Sequence, residues 1–187
     1  LALGSRDKII LAQLLDELGV YAIEGGIPAM GRIEQEAVFG MRSVCRKARI
    51  AAWNRMSVED LKISMACEPD ILHISVPVSD LQIEKKLQLD RVWLEKEMLE
   101  CVDFARGHGY EVSVGFEDAS RAELPFMIHL GVLLQSYGVL YIRFADTLGL
   151  LTPGETYDKV LALRQGTGME VEFHAHEGAG FAPNDQY

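Results

Sequence analysis

Short apolar runs alternate with segments of helical spacing along almost the whole sequence, and this alternation limits the fold more than any other feature. Six runs are typical of strands: 20–24, 49–53, 71–76, 110–116, 139–144 and 170–176. The segments between and before them repeat apolar residues at helical intervals, as at Ile10, Leu14 and Leu18. Strands separated by helices pair in parallel, with the helices outside the sheet. The sequence therefore predicts an α/β fold on a parallel sheet.

Polar side chains stand at or just past the C-terminal ends of these six runs. They are Glu24, Asn54, His73, Glu117, Asp146 and His176. In a (β/α)8 TIM barrel the functional groups gather at that end of the strands. A dinucleotide-binding fold is disfavoured because no Gly-x-Gly-x-x-Gly opens the first strand-to-helix turn. A whole barrel takes about 250 residues, so we expect one domain over residues 1–187, an incomplete (β/α)8 TIM barrel of about six strand–helix units.

The charge and the cysteines of the chain bear on its partners and its compartment. The chain has 187 residues, with 18 basic and 28 acidic side chains and a net charge of −10. Binding to nucleic acid or to an anionic membrane favours a basic face, so we expect neither as a partner. Cys45, Cys67 and Cys101 are odd in number and form no Cys-x-x-Cys pair. This pattern favours reduced cysteines and a cytoplasmic protein.

His174 and His176 close the last predicted strand. Successive side chains of a strand alternate faces, so these histidines share one face, with Glu172 on that face too. Two imidazoles with a carboxylate behind them can hold a divalent metal. Two structural histidines that are hydrogen-bonded and chemically idle are the alternative, because histidine has many other roles. The spacing alone does not decide between the two.

Five blocks of the sequence, in order, resemble the homocitrate synthases of the nitrogen-fixation type. The blocks are Ile23–Gly31, Ile74–Asp80, Val112–Arg121, Arg143–Gly149 and Glu172–His176. Their combination is typical of a wider superfamily of metal-dependent barrels, which also holds isopropylmalate and citramalate synthases and hydroxymethylglutaryl-CoA lyase. Within that superfamily, Ile-Pro-Ala-Met-Gly and Glu-Asp-Ala-Ser-Arg favour the homocitrate branch.

The resemblance implies an acyltransferase that condenses acetyl-CoA with 2-oxoglutarate and releases homocitrate and CoA. This chemistry needs a divalent metal (Mg²⁺, Mn²⁺ or Zn²⁺), a base for the methyl proton, and polar groups that hold two anionic substrates. The family also implies a homodimer. Three alternatives stay open: a related isopropylmalate or citramalate synthase, a lyase of the same superfamily, and a non-catalytic remnant of such an enzyme.

The resemblance assigns the chemistry to four residues. His174 and His176 are the expected metal ligands, Glu117 the candidate for proton transfer, and Thr147 the expected hydrogen-bond donor to the carboxylate of the 2-oxo acid. Alternatively, Glu117 caps the next helix or pairs with Arg121, and the Thr147 hydroxyl only forms a turn.

Four further residues are expected around the substrate. Glu24 and Glu172 would support the metal or the substrate from neighbouring strands, with a surface or outer-shell role as the alternative for each. Arg55 could bind a carboxylate of 2-oxoglutarate with two hydrogen bonds, unless it is an exposed loop arginine. His73 lies on an apolar strand, where a hydrogen-bonded core histidine is the alternative.

The sequence departs from the family pattern at both ends. The family's first strand reads Asp-Thr-Thr-Leu-Arg-Asp-Gly-Glu-Gln and supplies a metal ligand and an oxyanion-stabilising arginine; this chain has no counterpart. After the two histidines the family continues Asn-Asp-x-Gly, whereas this chain reads Glu177–Gly180. We therefore expect a fragment that is catalytically incomplete, with a truncated or frame-shifted reading frame after His176.

Overall fold

Helices and strands alternate throughout residues 3–176, the part of the chain that the computed structural model describes. The strands are β1 (Ala22–Gly26), β2 (Arg49–Arg55), β3 (Ile71–Pro77), β4 (Glu111–Glu117), β5 (Ile142–Asp146) and β6 (Val171–Ala175). The helices are α1 (Ser5–Leu18), α2 (Arg32–Val44), α3 (Val58–Met65), α4 (Arg91–Gly107), α5 (Leu124–Ser136) and α6 (Pro153–Thr167). The predicted alternation and the six predicted strands are confirmed. The segment Glu177–Gly180, where the sequence departs from the pattern of the homocitrate synthases, lies outside the described residues.

The strands form one sheet in the order of the chain, β1-β2-β3-β4-β5-β6. The pairs β1–β2, β4–β5 and β5–β6 are parallel. The strand β3 is almost wholly buried, as its nearly continuous apolar sequence predicts. Sequential parallel strands, each connected to the next through a helix, are the pattern that the alternation of the sequence requires.

The described residues divide into two compact units. The first comprises residues 3–74 and 103–112, and the second comprises residues 75–102 and 113–176. The first unit contains β1, β2 and the helices α1 to α3, and the second contains β5, β6, α5 and α6.

The helix ends follow from local sequence. At the start of α6 the Thr152 hydroxyl accepts a hydrogen bond from the Glu155 N–H, and the Glu155 carboxylate accepts one from the Thr152 N–H. This reciprocal pair is a capping box, formed by a threonine with a glutamate three residues later. Asp90 accepts a hydrogen bond of 2.7 Å from the Trp93 N–H and caps α4 in the same way. Gly19 ends α1 in a left-handed conformation, with φ of 82°.

A buried carboxylate joins α1 to the first unit. Asp16 accepts hydrogen bonds from the backbone N–H groups of Arg46, Lys47 and Ala48, at 3.1, 2.7 and 2.6 Å from Oδ1. These hydrogen bonds, that of Ala48 foremost, hold the pKa of Asp16 below its ordinary value. The carboxylate thereby attaches the end of α1 to the turn between α2 and β2.

The apolar residues that predict α1 do not face its buried side. Leu11, Leu14 and Leu18 are 44%, 51% and 81% exposed, whereas Ala12 and Asp16 are buried. The periodicity therefore identifies the helix correctly but does not identify the face that packs on the described part of the first unit. No helix among the described residues combines the length and the apolar character needed to cross a membrane.

Candidate active site

The two predicted metal ligands approach each other at the C-terminal end of β6. The Nε2 atoms of His174 and His176 are 3.1 Å apart, and both side chains are exposed. Two nitrogen ligands at about 2.1 Å from one metal ion, with bond angles of roughly 90° to 110°, lie about 3.0 to 3.4 Å apart. The two imidazoles therefore fit adjacent positions on one divalent ion. A hydrogen bond between two neutral rings is the alternative explanation of the same distance.

The end of β5 supports this pair through the backbone. In the register of the two strands Ala145 lies beside His174. The His176 N–H donates to the Asp146 carbonyl at 3.3 Å. The buried carboxylate of Asp146 accepts a hydrogen bond from the Leu151 N–H through Oδ2. Asp146 thus shapes the turn after β5 and holds the start of the segment that follows β6.

The two imidazoles alone would not make up a complete set of metal ligands. Within residues 3–176 no group of three or more histidine, cysteine, aspartate or glutamate side chains is arranged to hold a metal ion. The nearby carboxylate of Glu172, expected to support the site, accepts a hydrogen bond from Arg143 Nε at 3.0 Å. Its role toward metal or substrate stays a prediction, as do the ligand roles of the two histidines.

Glu117 ends β4 with both carboxylate oxygens hydrogen-bonded to hydroxyl groups. Its Oε1 accepts from Ser75 Oγ at 2.9 Å, and its Oε2 accepts from Thr147 Oγ1 at 3.2 Å. The side chain is half-buried. These bonds come from the ends of β3 and β5, so they orient the carboxylate within the second unit. A fixed, partly accessible carboxylate at a strand end can take a proton from a bound molecule.

Thr147 is engaged on two sides. Its hydroxyl oxygen accepts a hydrogen bond from the Asp118 N–H at 2.8 Å and donates to Glu117. The predicted hydrogen bond from Thr147 to a substrate carboxylate stays a prediction. Arg121, the alternative partner considered for Glu117, pairs instead with Asp118, with Nε 2.8 Å from Oδ1.

Three predicted substrate-binding residues lie in the first unit. Arg55 donates to Asp60 through Nε and Nη2, at 2.7 and 2.8 Å, and this pairing raises the pKa of Arg55. His73 is fully buried on β3, and Glu24 is exposed on β1. Because Asp60 takes two of the five N–H groups of Arg55, a substrate carboxylate would share the guanidinium with it. The three roles stay predictions.

Asn54, which also lies at a strand end, has a structural role. Its Nδ2 donates to the carbonyls of Ala52 and His73, at 2.8 and 3.2 Å, and its Oδ1 accepts from Ser64 Oγ at 2.5 Å. The residue is fully buried. Its amide joins β2, β3 and α3, so a polar residue at a strand end is not by itself a sign of chemistry.

The glycines that follow Glu24 serve packing. A Cβ at Gly26, where φ is 152°, would overlap with the carboxylate of Glu34. That carboxylate accepts a hydrogen bond of 3.0 Å from the Ile27 N–H and pairs with Lys8. Gly26 therefore leaves room for the half-buried ion pair of Lys8 and Glu34 beside the first strand.

Comparison with known proteins decides the family. The family model described as HMGL-like matches residues 2–185. The chain belongs to the HMGL-like family. The predicted resemblance is confirmed by individual relatives of this HMGL-like protein. The homocitrate synthase subunit alpha of Clostridium pasteurianum is 41% identical over the whole chain, which covers 70% of that protein. Homocitrate synthase 1 of Nostoc is 40% identical over 94% of the chain.

Other branches are similar to the HMGL-like protein as well. The 2-isopropylmalate synthase 2 of Caldanaerobacter subterraneus is 41% identical over 96% of the chain. The chain spans 47% of the length of that protein and 47% of the Nostoc synthase. It thus spans about half the length of several curated relatives.

Solved structures show the fold of the HMGL-like protein. Hydroxymethylglutaryl-CoA lyase from Pseudomonas aeruginosa matches all of the chain with a TM-score of 0.82, at 17% identity and over 66% of its own length. The carboxyl transferase domain of Rhizobium etli pyruvate carboxylase matches 98% of the chain with a TM-score of 0.73, at 16% identity and over 34% of its own length. The predicted fold class, an incomplete (β/α)8 TIM barrel with six strand–helix units, is confirmed.

The sequence analysis of the HMGL-like protein did not identify two residues that contact Glu117 or Thr147, namely Ser75 and Asp118. Ser75 interrupts the apolar run of β3, and that interruption is a signal that could have identified it. Asp118 acts through its backbone N–H and a left-handed conformation, with φ of 59°. No side-chain pattern reports such a conformation, so only the structure shows this contact.

Proposed function

We propose that this HMGL-like protein is an acyltransferase that condenses acetyl-CoA with 2-oxoglutarate, giving homocitrate and CoA, with a divalent metal. The observation that carries the proposal is the convergence of the His174 and His176 imidazoles, 3.1 Å apart, at the end of β6. The similarity to homocitrate synthases over 94% to 100% of the chain supports the choice of reaction.

His174 and His176 would hold the ion through their Nε2 atoms. Mg²⁺, Mn²⁺ and Zn²⁺ all suit mixed ligation by imidazole and oxygen. When bound, the ion supplies Lewis acidity, which polarises the keto group and stabilises the negative charge that develops on its oxygen. Its remaining positions would be filled by oxygen atoms of substrate, water or residues beyond the described part of the chain.

Glu117 is the base of the proposed reaction. It takes a proton from the methyl group of acetyl-CoA, and the resulting carbanion attacks the keto carbon of 2-oxoglutarate. A carbon–carbon bond forms, the electron pair of the carbonyl moves to oxygen, and that oxygen is then protonated. Water hydrolyses the thioester and releases CoA. The hydroxyls of Ser75 and Thr147 keep the carboxylate in one orientation during the proton transfer.

Glu24, Arg55, His73 and Glu172 are the residues proposed to bind substrate, and Thr147 would also contact the 2-oxo acid. Arg55 is a candidate for a carboxylate because its side chain is exposed, and a substrate carboxylate would share the guanidinium with Asp60. A related synthase acting on another 2-oxo acid is the second candidate function. The isopropylmalate synthase of Caldanaerobacter, 41% identical, favours it.

The first prediction is a test of both functions by release of CoA. Because we expect residues 1–187 alone to be catalytically incomplete, the assay uses the full-length protein, which is supplied with acetyl-CoA, Mn²⁺ and one 2-oxo acid: 2-oxoglutarate, 2-oxoisovalerate or pyruvate. We expect release only with 2-oxoglutarate, and a loss of at least about 100-fold in His174→Ala, because an imidazole ligand cannot be replaced by a methyl group. His129→Ala is the matched control, since His129 bonds Glu95 at 2.7 Å between α4 and α5, away from β6.

The results of the CoA-release assay distinguish the candidate functions. Turnover with 2-oxoisovalerate or pyruvate alone supports the second function. Turnover that survives His174→Ala unchanged contradicts the metal site. Absence of turnover with every 2-oxo acid contradicts both and favours a non-catalytic remnant.

We further propose a cytoplasmic homodimer. The three cysteines are buried, and their odd number without a Cys-x-x-Cys pair suits a reducing compartment. The molar mass by light scattering tests the dimer, and a monomeric mass at assay concentration contradicts it. Fractionation of the source cells tests the compartment.

A further inference from the structure

Asp118, directly after Glu117, has an uncommon backbone conformation. Its φ and ψ are 59° and 34°, in the left-handed region that non-glycine residues seldom occupy. Aspartate tolerates the region better than most residues. Conformations of this kind persist where the surrounding structure determines them, and they are concentrated at functional sites.

The Asp118 side chain holds the backbone in this conformation. Its carboxylate is fully buried. Oδ1 accepts from Arg121 Nε at 2.8 Å, while Oδ2 accepts from Arg121 Nη2 at 2.7 Å and from the Ser79 hydroxyl. The carboxylate is therefore bound by a guanidinium from the turn that follows and by a hydroxyl from the segment after β3. Three donors from two segments leave it little freedom to rotate.

The anchored backbone directs an N–H group at Thr147. The Asp118 nitrogen lies 2.8 Å from Thr147 Oγ1, and that oxygen lies 3.2 Å from Glu117 Oε2. A hydroxyl has one proton. Because the N–H of Asp118 occupies a lone pair of Thr147, the hydroxyl proton is left to point at Glu117.

We propose that Asp118 is a positioning residue, which orients the Thr147 hydroxyl and through it the Glu117 carboxylate. The inference rests on the proposed function, in which Glu117 removes the methyl proton. Asp118 itself touches neither substrate nor the reacting atoms. Its contribution is to keep the carboxylate in the one orientation that proton transfer requires.

The test, our second prediction, is a double-mutant cycle on the protein with the CoA-release assay. Asp118→Ala should lower kcat on the order of 10-fold, as loss of an orienting partner commonly does, with little change in KM. In a Thr147→Val background the same substitution should change kcat by less than about 2-fold, because the hydroxyl that it orients is already gone. Asp118→Asn tolerates the left-handed backbone and keeps one acceptor, so it should restore most of kcat.

Asp90→Ala is the matched control. It also removes a carboxylate that accepts a backbone N–H, at the start of α4, and it should lower thermal stability without changing kcat. Equal losses of kcat from Asp118→Ala in both backgrounds would overturn the proposal. So would a loss of kcat in Asp90→Ala as large as that in Asp118→Ala, since a loss of stability alone would then explain both.

A second measurement does not depend on turnover. With ¹³C-labelled threonine, three-bond couplings report the χ1 rotamer of Thr147. We expect one rotamer in the wild type and in Asp118→Asn, and averaging in Asp118→Ala. An unchanged rotamer in Asp118→Ala contradicts the positioning role, whereas absence of turnover in the wild type contradicts only the proposed function.

Discussion

Neighbouring groups, rather than residue type, decide what each polar side chain does. Arg55 and Arg121 each bind an aspartate nearby in sequence through Nε and Nη2, Arg55 to Asp60 and Arg121 to Asp118. Glu117 accepts only from hydroxyls and carries no such cation partner among the described hydrogen bonds. The carboxylates of Asp60 and Asp118 are therefore held by a guanidinium, whereas within the described contacts the carboxylate of Glu117 is not.

For a single residue, Asp16 leads to a prediction of how stability depends on pH. Its folded-state pKa lies below the ordinary 3.8, so the unfolded chain binds a proton more readily than the folded one. The stabilisation is fully present above the ordinary pKa and disappears as the pH falls through the lowered one. Asp16→Asn should be less stable than the wild type at pH 7, and the difference should shrink toward pH 3.

Urea unfolding between pH 7 and pH 3 measures the effect. Asp7→Asn is the control, because Asp7 is an exposed aspartate of the same helix. A difference between wild type and Asp16→Asn that stays constant over this range would contradict the anchoring role of the ionised carboxylate.

Helices and strands follow closely from local sequence. The capping box formed by Thr152 and Glu155 marks the start of α6. The apolar spacing of Phe126, Met127 and Leu130 does not show where α5 begins, which is at Leu124. Residues Ala119–Arg121 form a separate turn, and Ala122 is extended with ψ of 154°. Apolar periodicity does not show a helix boundary that is set by such a turn.

The capping box of α6 leads to a prediction about the stability of the protein. Thr152→Ala removes the acceptor for the Glu155 N–H and should lower the free energy of unfolding by about 1 kcal/mol. Thr152→Ser keeps the hydroxyl and should cost much less. Chemical denaturation measures both variants, and equal losses would show that the methyl group, not the cap, stabilises the helix.

Burial is a property of the whole molecule, and leucines of the same apolar type differ widely in it. Leu18 of α1 is 81% exposed, whereas Leu61 of α3 is fully buried. Leu61→Ala should cost about 2 to 5 kcal/mol of unfolding free energy, because it leaves a cavity. Leu18→Ala should change it by less than about 0.5 kcal/mol. Denaturation at low protein concentration compares them, and a large loss in Leu18→Ala would show that its face is covered in solution.

The amino-acid sequence alone is enough to predict the alternation of six strands with helices, a parallel sheet and the family. These features depend on local periodicity and on motifs that lie within a few residues of one another. Contacts between distant segments, by contrast, are needed to show that the apolar residues of α1 are exposed, that Asn54 joins strands, and that the Asp118 N–H bonds Thr147 beside Glu117. Each of these depends on atoms brought together from distant segments, and no local pattern encodes their distances or the direction of an N–H group.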